Sequence, residues 1–354
     1  MSFSEVIAAR RNIALRFAPL CLFLCFCLPL GLTACGKPPL YQQQAYVFGT
    51  LVEVSVYGAP EEQARQAAQA VLTRFDQLHR KLHAWQASDL SRLNAAFAQG
   101  KKVAIDPELA AMLTDATAIS VQSGHLFNPA IGKLIALWGF QSDVPQSRIP
   151  QTADIARLVK AQQRMTAIHI KNSSVGNGMA WSDNPSVQLD LGGYAKGYAL
   201  DEAARILKRH GIHHALVNIG GNIIALGQHG DRPWRVGIQH PRRPGTLATL
   251  DLNDGEAIGT SGDYQRYFES NGKRYCHLID PRTGYPASGM QSVTVLVSGL
   301  NAGTRSDAAS KPLFIGGRND LRKNAERMGV AHYLAVDSTG WKFVSAALAV
   351  RLRH

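Results

Sequence analysis

Beyond residue 35 the sequence holds a single cysteine. Cys21, Cys25, Cys27 and Cys35 crowd the N-terminus, and Cys276 stands alone in everything that follows. No internal disulfide can therefore brace the body of the chain, which excludes a disulfide scaffold in any compartment. A clustered basic tract is also missing. The formal net charge is +12, but lysines and arginines are scattered, and no basic run is interleaved with aromatics as a nucleic-acid platform requires. There is no repeat with a period of 20–50 residues, so a solenoid is excluded. The glycine-rich stretch "LDLGGYAKGYALD" (189–201) follows neither the G-x-G-x-x-G nor the phosphate-loop spacing, so nucleotide binding by those routes is not supported. With 354 residues, 45% of them hydrophobic and 18% charged, the chain has ample material for a folded core.

The N-terminus carries an address. Arg10, Arg11 and Arg16 precede the apolar run "FAPLCLFLCFCLPLGLTAC", which is on the short side for a spanning helix and contains Pro19 and Pro29. It reads as a secretory signal over residues 1–34. Leu32-Thr33-Ala34-Cys35 matches the lipobox of bacterial lipoproteins, a resemblance that implies diacylation of Cys35, with residues 35–44 as lipid anchor and polar tether. Gly36 is no acidic retention signal, and inner or outer membrane stays open.

The body, residues 45–350, is read as one α+β domain. "TLVEVSVYG" alternates with the period of a half-buried strand. Residues 60–81, 107–124 and 200–211 have helical spacing, the last two stopped by glycine. Strand-like runs are "ALVNIGG", "IIALGQ", "RVGIQ", "SVTVLV" and "HYLAVD". Helices and strands do not alternate regularly, which predicts mostly antiparallel sheets with packed helices.

Four stretches carry chemistry. In "LDLGGYAKGYALD", Gly192 and Gly193 allow close backbone approach to a ligand, and Lys196 adds a charge just ahead of the expected helix, a combination suited to an anion. A tight strand-to-helix turn explains the same residues equally well. "GTSGDYQRYFESNGKRYCHLIDPRTGYP" (259–286) brings Ser261, His277 and several arginines onto one hairpin, with Asn271-Gly272 as its turn. "SGHLFNPAIGKLIALWGF" offers Phe127 beside Trp138 and Phe140, the latter two better suited to core packing. In "RSDAASKPLF" Asp307 heads a short helical run, but four residues on, where a second oxygen ligand would share its face, stands Lys311.

Taken in order, "FGT", "HAW…SDLSRLN", "GHLFNPAIGKLIALWGF", "LDLGGYAKGYALD", "LVNIGGN", "TSGDYQRYF", "HLIDPRTGYP" and "SVTV…SDAAS" resemble the FAD:protein FMN transferases, the ApbE-type flavin transferases, over about residues 45–335. The resemblance implies the T-fold-like ApbE architecture and a periplasm-facing, lipid-anchored enzyme. Its substrate would be FAD, its cofactor a divalent metal, usually Mg²⁺, and its partner a flavoprotein of a membrane redox complex. A Thr or Ser hydroxyl of that partner receives FMN, and AMP leaves. Charge neutralisation and in-line geometry matter more to this chemistry than a covalent protein nucleophile does. The flavin pocket implied comprises Phe48, Ala84, Trp85, Leu126, Phe127, Asn128, Asp190, Lys196, Ser261 and Leu278. Catalytic roles fall to Asp307, His277 and Lys196, and metal ligation to the Gly193 carbonyl, Asp307 and position 311.

The chain departs from the family pattern at three of these points. Asn128 stands where Asp is usual, and Asn222 replaces an acidic residue after Gly-Gly. Lys311 replaces a threonine ligand. Three consequences of Lys311 are open: its ammonium takes the metal's place, it turns away while water completes a magnesium shell, or the site has decayed. Reduced turnover is the expectation, with a catalytically weakened FAD-binding lipoprotein or an FAD pyrophosphatase as the alternative functions.

Overall fold

The computed structural model of the chain describes residues 38–142, 147–174 and 176–353. The signal, residues 1–34, and Cys35 lie outside the described residues. An eight-stranded sheet forms the middle layer. Its strands are β1 (Leu40–Val47), β2 (Thr50–Tyr57), β3 (Ala215–Ile219), β4 (Asn222–Leu226), β5 (Glu256–Gly262), β6 (Met290–Ser298), β7 (His332–Asp337) and β8 (Lys342–Val344). They lie side by side in chain order, each antiparallel to the next. Three long helices, α1 (Glu61–Lys81), α2 (Ala195–Arg209) and α3 (Ala302–Arg327), cover one face. A three-stranded sheet of Trp234–Gln239, Thr246–Leu252 and Leu352–Arg353 covers the other. Among the described residues no helix is long and apolar enough to cross a membrane.

Coverage on both faces explains why the central strands are apolar throughout rather than alternating. In β4 Ile224 and Leu226 enter the core beneath the helices, while Ile223 and Ala225 enter the core of the small sheet. Strand β6 repeats this division, with Val293, Val295 and Val297 on the helical side and Leu296 opposite. The mixed, mostly antiparallel architecture expected from the sequence is thus the one observed.

Three boundaries move. The tether assigned to residues 35–44 is strand from Leu40 on, with Leu40 opposite Tyr57 and Gln44 opposite Glu53. Its glutamines gave no apolar alternation, yet the Gln42 and Gln44 amides reach Glu53 across the pair. Helix α2 begins at Ala195, five residues before the expected start, so Lys196 stands inside its first turn. Helix α3 begins at Ala302, which puts Asp307 in the second turn instead of at the head. Pro312 lies inside α3, and Gly317, at φ 68° and ψ −172°, divides that helix in two.

Helices α2 and α3 touch backbone to backbone at their starts. A Cβ on Gly197 would lie 2.4 Å from the Gly303 carbonyl oxygen, and one on Gly303 2.5 Å from that of Gly197. This proximity lets each helix satisfy the other's free amides. Asp201 of α2 accepts from the Gly303 and Thr304 amides of α3, both at 2.8 Å, and from Thr304 Oγ1 at 2.6 Å. In return, Asp307 Oδ2 of α3 accepts from the Gly197 amide of α2 at 2.9 Å. Asn301, which precedes α3 in a left-handed conformation, supplies no side-chain cap.

Candidate functional site

A cavity of about 720 Å³ opens over the start of α2. Its wall includes Phe48, Ala84, Trp85, Leu126, Phe127, Asn128, Asp190, Gly193, Lys196, Ser261, His277, Leu278 and Lys311. These residues come from seven separate chain segments, and the fold gathers them. Of the residues expected to bind FAD, act in catalysis or hold a metal, Asp307 alone is not in the wall.

The aromatic side is held by local strain and capping. Phe48 and Gly49 form the β1–β2 turn with φ of 56° and 68°. A tight hairpin turn of this kind needs positive φ at both central residues, which a phenylalanine adopts only under constraint. Its ring is fixed against Phe75 and His79, with centroids 6.0 and 5.7 Å away. In the loop after α1, His83 Nδ1 accepts from the amides of Trp85 and Gln86 at 3.1 and 3.0 Å, which sets the path of the Ala84-Trp85 segment. Phe127 is buried, and its amide donates to Ser123 Oγ at 3.0 Å.

Several polar wall residues are already engaged. Asn128 donates to the Gln163 carbonyl at 2.7 Å and accepts from the Ala130 amide at 3.1 Å, so its amide group serves the loop. Asp190 Oδ1 accepts from the Gly192 amide at 2.8 Å, which shapes the turn into α2. Ser310 Oγ donates to the Asp307 carbonyl, so the 2.8 Å contact between Ser261 and Ser310 has Ser261 as donor. Asn222 Oδ1 accepts from the Thr260 amide at 3.1 Å, outside the wall. Trp138 and Phe140 are core residues, and Trp138 Nε1 donates to the Gly284 carbonyl at 2.7 Å.

Cationic groups line the same cavity. His277 Nδ1 lies 3.2 Å from the Arg266 carbonyl oxygen and must carry the proton to donate to it, leaving Nε2 with a lone pair. Burial pushes the pKa of His277 down to about 3, helped by the charges of Arg266, Lys196 and Lys311. Burial also lowers Lys196; the nearby Asp307 carboxylate opposes that shift, while Lys311 and Arg266 add to it.

Arg266 is one of the arginines of the 259–286 stretch read as a ligand site, though no role was expected of it in particular. It lines the cavity, donates to the Phe140 and Ser142 carbonyls at 2.8 and 3.0 Å, and keeps a buried Nε without a hydrogen-bond partner among the described residues. Its position was legible in the turn. Asn271-Gly272, with φ of 50° and 71°, closes a two-residue hairpin pairing Tyr267 with Cys276, and one step further out Arg266 faces His277.

The positions assigned to a divalent cation do not form a donor set for one. Asp307 is only 1% exposed, and its carboxylate is shared between the Lys311 ammonium and the Gly197 amide. Position 311 offers a cation where an oxygen is needed, so Lys311 is not a metal ligand. Among the described residues no cluster of three or more His, Cys, Asp or Glu side chains is arranged to hold a metal ion. Asp307 is a helix-start carboxylate after all, but for the neighbouring helix.

Comparison with known proteins places this geometry. The model of the ApbE family matches residues 48–334. An FAD:protein FMN transferase of Rhodobacter capsulatus is 42% identical over 314 residues, covering 89% of this chain; the chain spans 58% of that relative's length. One of Klebsiella pneumoniae (strain 342) is 32% identical over 300 residues, covering 83% of this chain and 84% of the relative. Among solved structures, the ApbE protein of Thermotoga maritima superposes with a TM-score of 0.80 at 30% identity, covering 89% of this chain and all of that one. The apo flavinyl transferase ApbE of Pseudomonas stutzeri gives 0.77 at 26% identity, covering 90% and 98%.

Proposed function

The chain belongs to the ApbE family, and from that premise we propose that it is an FAD:protein FMN transferase. The observation that carries the reading is a cavity lined both by the rings of Phe48, Trp85 and Phe127 and by Lys196, Lys311 and Arg266 beside a neutral histidine. A ring system needs the first and a diphosphate the second. The volume is that of an ordinary small-molecule site.

The acceptor is a Thr or Ser hydroxyl of a partner flavoprotein. Its oxygen bonds to the FMN-side phosphorus as the bond from that phosphorus to the bridging oxygen breaks, and AMP departs with the bridging oxygen. The hydroxyl proton passes to His277 Nε2, the unprotonated ring nitrogen, and from there to solvent. In the free protein burial, and after it three cations, suppress that basicity. The diphosphate brings two negative charges against them, so FAD binding raises the basicity of His277 just where the proton must be taken. Lys196 and Arg266 hold the phosphate oxygens in line for the attack. The leader and Leu32-Thr33-Ala34-Cys35 support export and lipid attachment on the periplasmic side of a membrane.

The test is incubation of the full chain with FAD and an FMN-acceptor domain. Flavin fluorescence that survives a denaturing gel, with AMP in equal amount, is the expected result. Absence of covalent flavin with and without added divalent metal would end the reading.

A further inference from the structure

The Lys311 side chain runs from α3 alongside Gly193, where a Cβ would lie 3.2 Å from Lys311 Cε. Its ammonium donates to the Asp307 carboxylate and, at 2.7 Å, to the Asp307 carbonyl oxygen. This seat is built from several directions. The second carboxylate oxygen accepts from the Gly197 amide at 2.9 Å, and the carbonyl oxygen also accepts from Ser310 Oγ at 2.8 Å. Every oxygen that Asp307 would offer a metal therefore already accepts a hydrogen bond from the protein.

An ammonium has three N–H donors in a tetrahedral arrangement. Two are spent on Asp307, and the third projects away from that seat, on a side chain that lines the cavity. Lys196 and Arg266 line the same cavity. A divalent ion placed here would meet the ammonium as a like charge and find no oxygen at position 311. A phosphate oxygen would meet a fixed donor and a compact positive charge, the manner in which lysine binds phosphates.

We propose that the Lys311 ammonium, seated on Asp307, is the cation that this site presents to the FAD diphosphate, and that the chain binds FAD without a divalent metal ion. The proposal rests on the transferase reading above and deepens it at this one point.

The experiment is FAD titration of the full wild-type chain in excess EDTA and in excess Mg²⁺, with Mn²⁺ binding followed by electron paramagnetic resonance. The expected result is the same FAD affinity in both media and no bound Mn²⁺. Lys311→Met, of similar length and without charge, is expected to weaken FAD binding in both media by roughly tenfold or more, the scale of one charged hydrogen bond. Lys311→Thr, which supplies an oxygen, is expected to bind FAD weakly in EDTA and to recover with Mg²⁺.

Wild type that takes up Mn²⁺ at one ion per chain, or loses FAD affinity by about tenfold on chelation, overturns the inference and leaves the transferase reading standing. So does Lys311→Met that binds FAD as wild type does. Wild type that binds no FAD in either medium overturns the transferase reading itself. The chelation arm uses the unaltered chain, so its outcome stands whether or not a variant folds.

Discussion

A histidine that is hard to protonate leaves two separable marks. Burial, with Arg266, Lys196 and Lys311 nearby, holds the pKa of His277 at about 3 against an ordinary value of 6.5. In this window the unfolded chain binds the proton and the folded chain does not, so stability falls as pH drops from 6.5 toward 3. His277→Asn keeps a short donor near the Arg266 carbonyl and cannot titrate there. Its melting temperature is expected to fall less between pH 7 and pH 4.5 than that of wild type; equal losses would show that His277 is not held neutral. The same substitution is expected to lower kcat for flavin transfer by about 10² to 10⁴, the usual worth of a positioned base. The residue pattern of 259–286 singled out His277 as one of a group, and the structure puts it in the cavity wall. Arg266 was one of several arginines in that stretch, and only the hairpin register separates it from the others; Asp307 was ambiguous. A carboxylate four residues before a polar side chain suits a metal site and a helix cap alike, and the partner that decides between them, Gly197, lies 110 positions away.

Among the elements, the crossing of α2 and α3 sets the floor of the cavity. Each helix start is satisfied by an aspartate from the other, which sequence reasoning could not foresee, since capping patterns are local in sequence and these are not. The early start of α2 has the same origin: its first turn is stabilised from α3 and needs no cap residue of its own. Asp201→Ala removes the acceptor for two α3 amides and is expected to cost about 2 kcal/mol, the upper end for losing a cap. Asp201→Asn, which keeps one oxygen, should lose less; urea denaturation of the two variants checks the order. Gly303→Ala forces a methyl to within 2.5 Å of the Gly197 carbonyl oxygen, so the helices must part. The expectation is a loss of about 1–3 kcal/mol together with weaker FAD binding, because Lys196 and Lys311 sit on the two helices being separated. Long periodic segments such as Glu61–Lys81 and Pro107–Gln122 matched their expected spans closely. The glutamine-rich β1 did not, because an edge strand held by side-chain amides carries no apolar alternation.

For the molecule as a whole, chain order and sheet order coincide, but the spacing between neighbours is very uneven. Strands β3 and β4 are joined by Gly220 and Gly221 alone, whereas β2 and β3 pair across an excursion running from residue 58 to residue 214. That excursion carries Trp85, Phe127, Asp190 and Lys196, while Ser261, His277 and Lys311 belong to the part after it. The cavity is therefore shared between two stretches of chain that meet only once the long loop has closed. Closing it costs entropy before the β2–β3 pairing returns anything, which makes this the slow step of assembly. After dilution from denaturant, the β-sheet signal of residues 215–344 should recover first, and quenching of FAD fluorescence should follow in the slowest phase; simultaneous recovery would contradict this order. A newly made chain would thus hold a nearly complete scaffold for some time before it has anywhere to put its substrate.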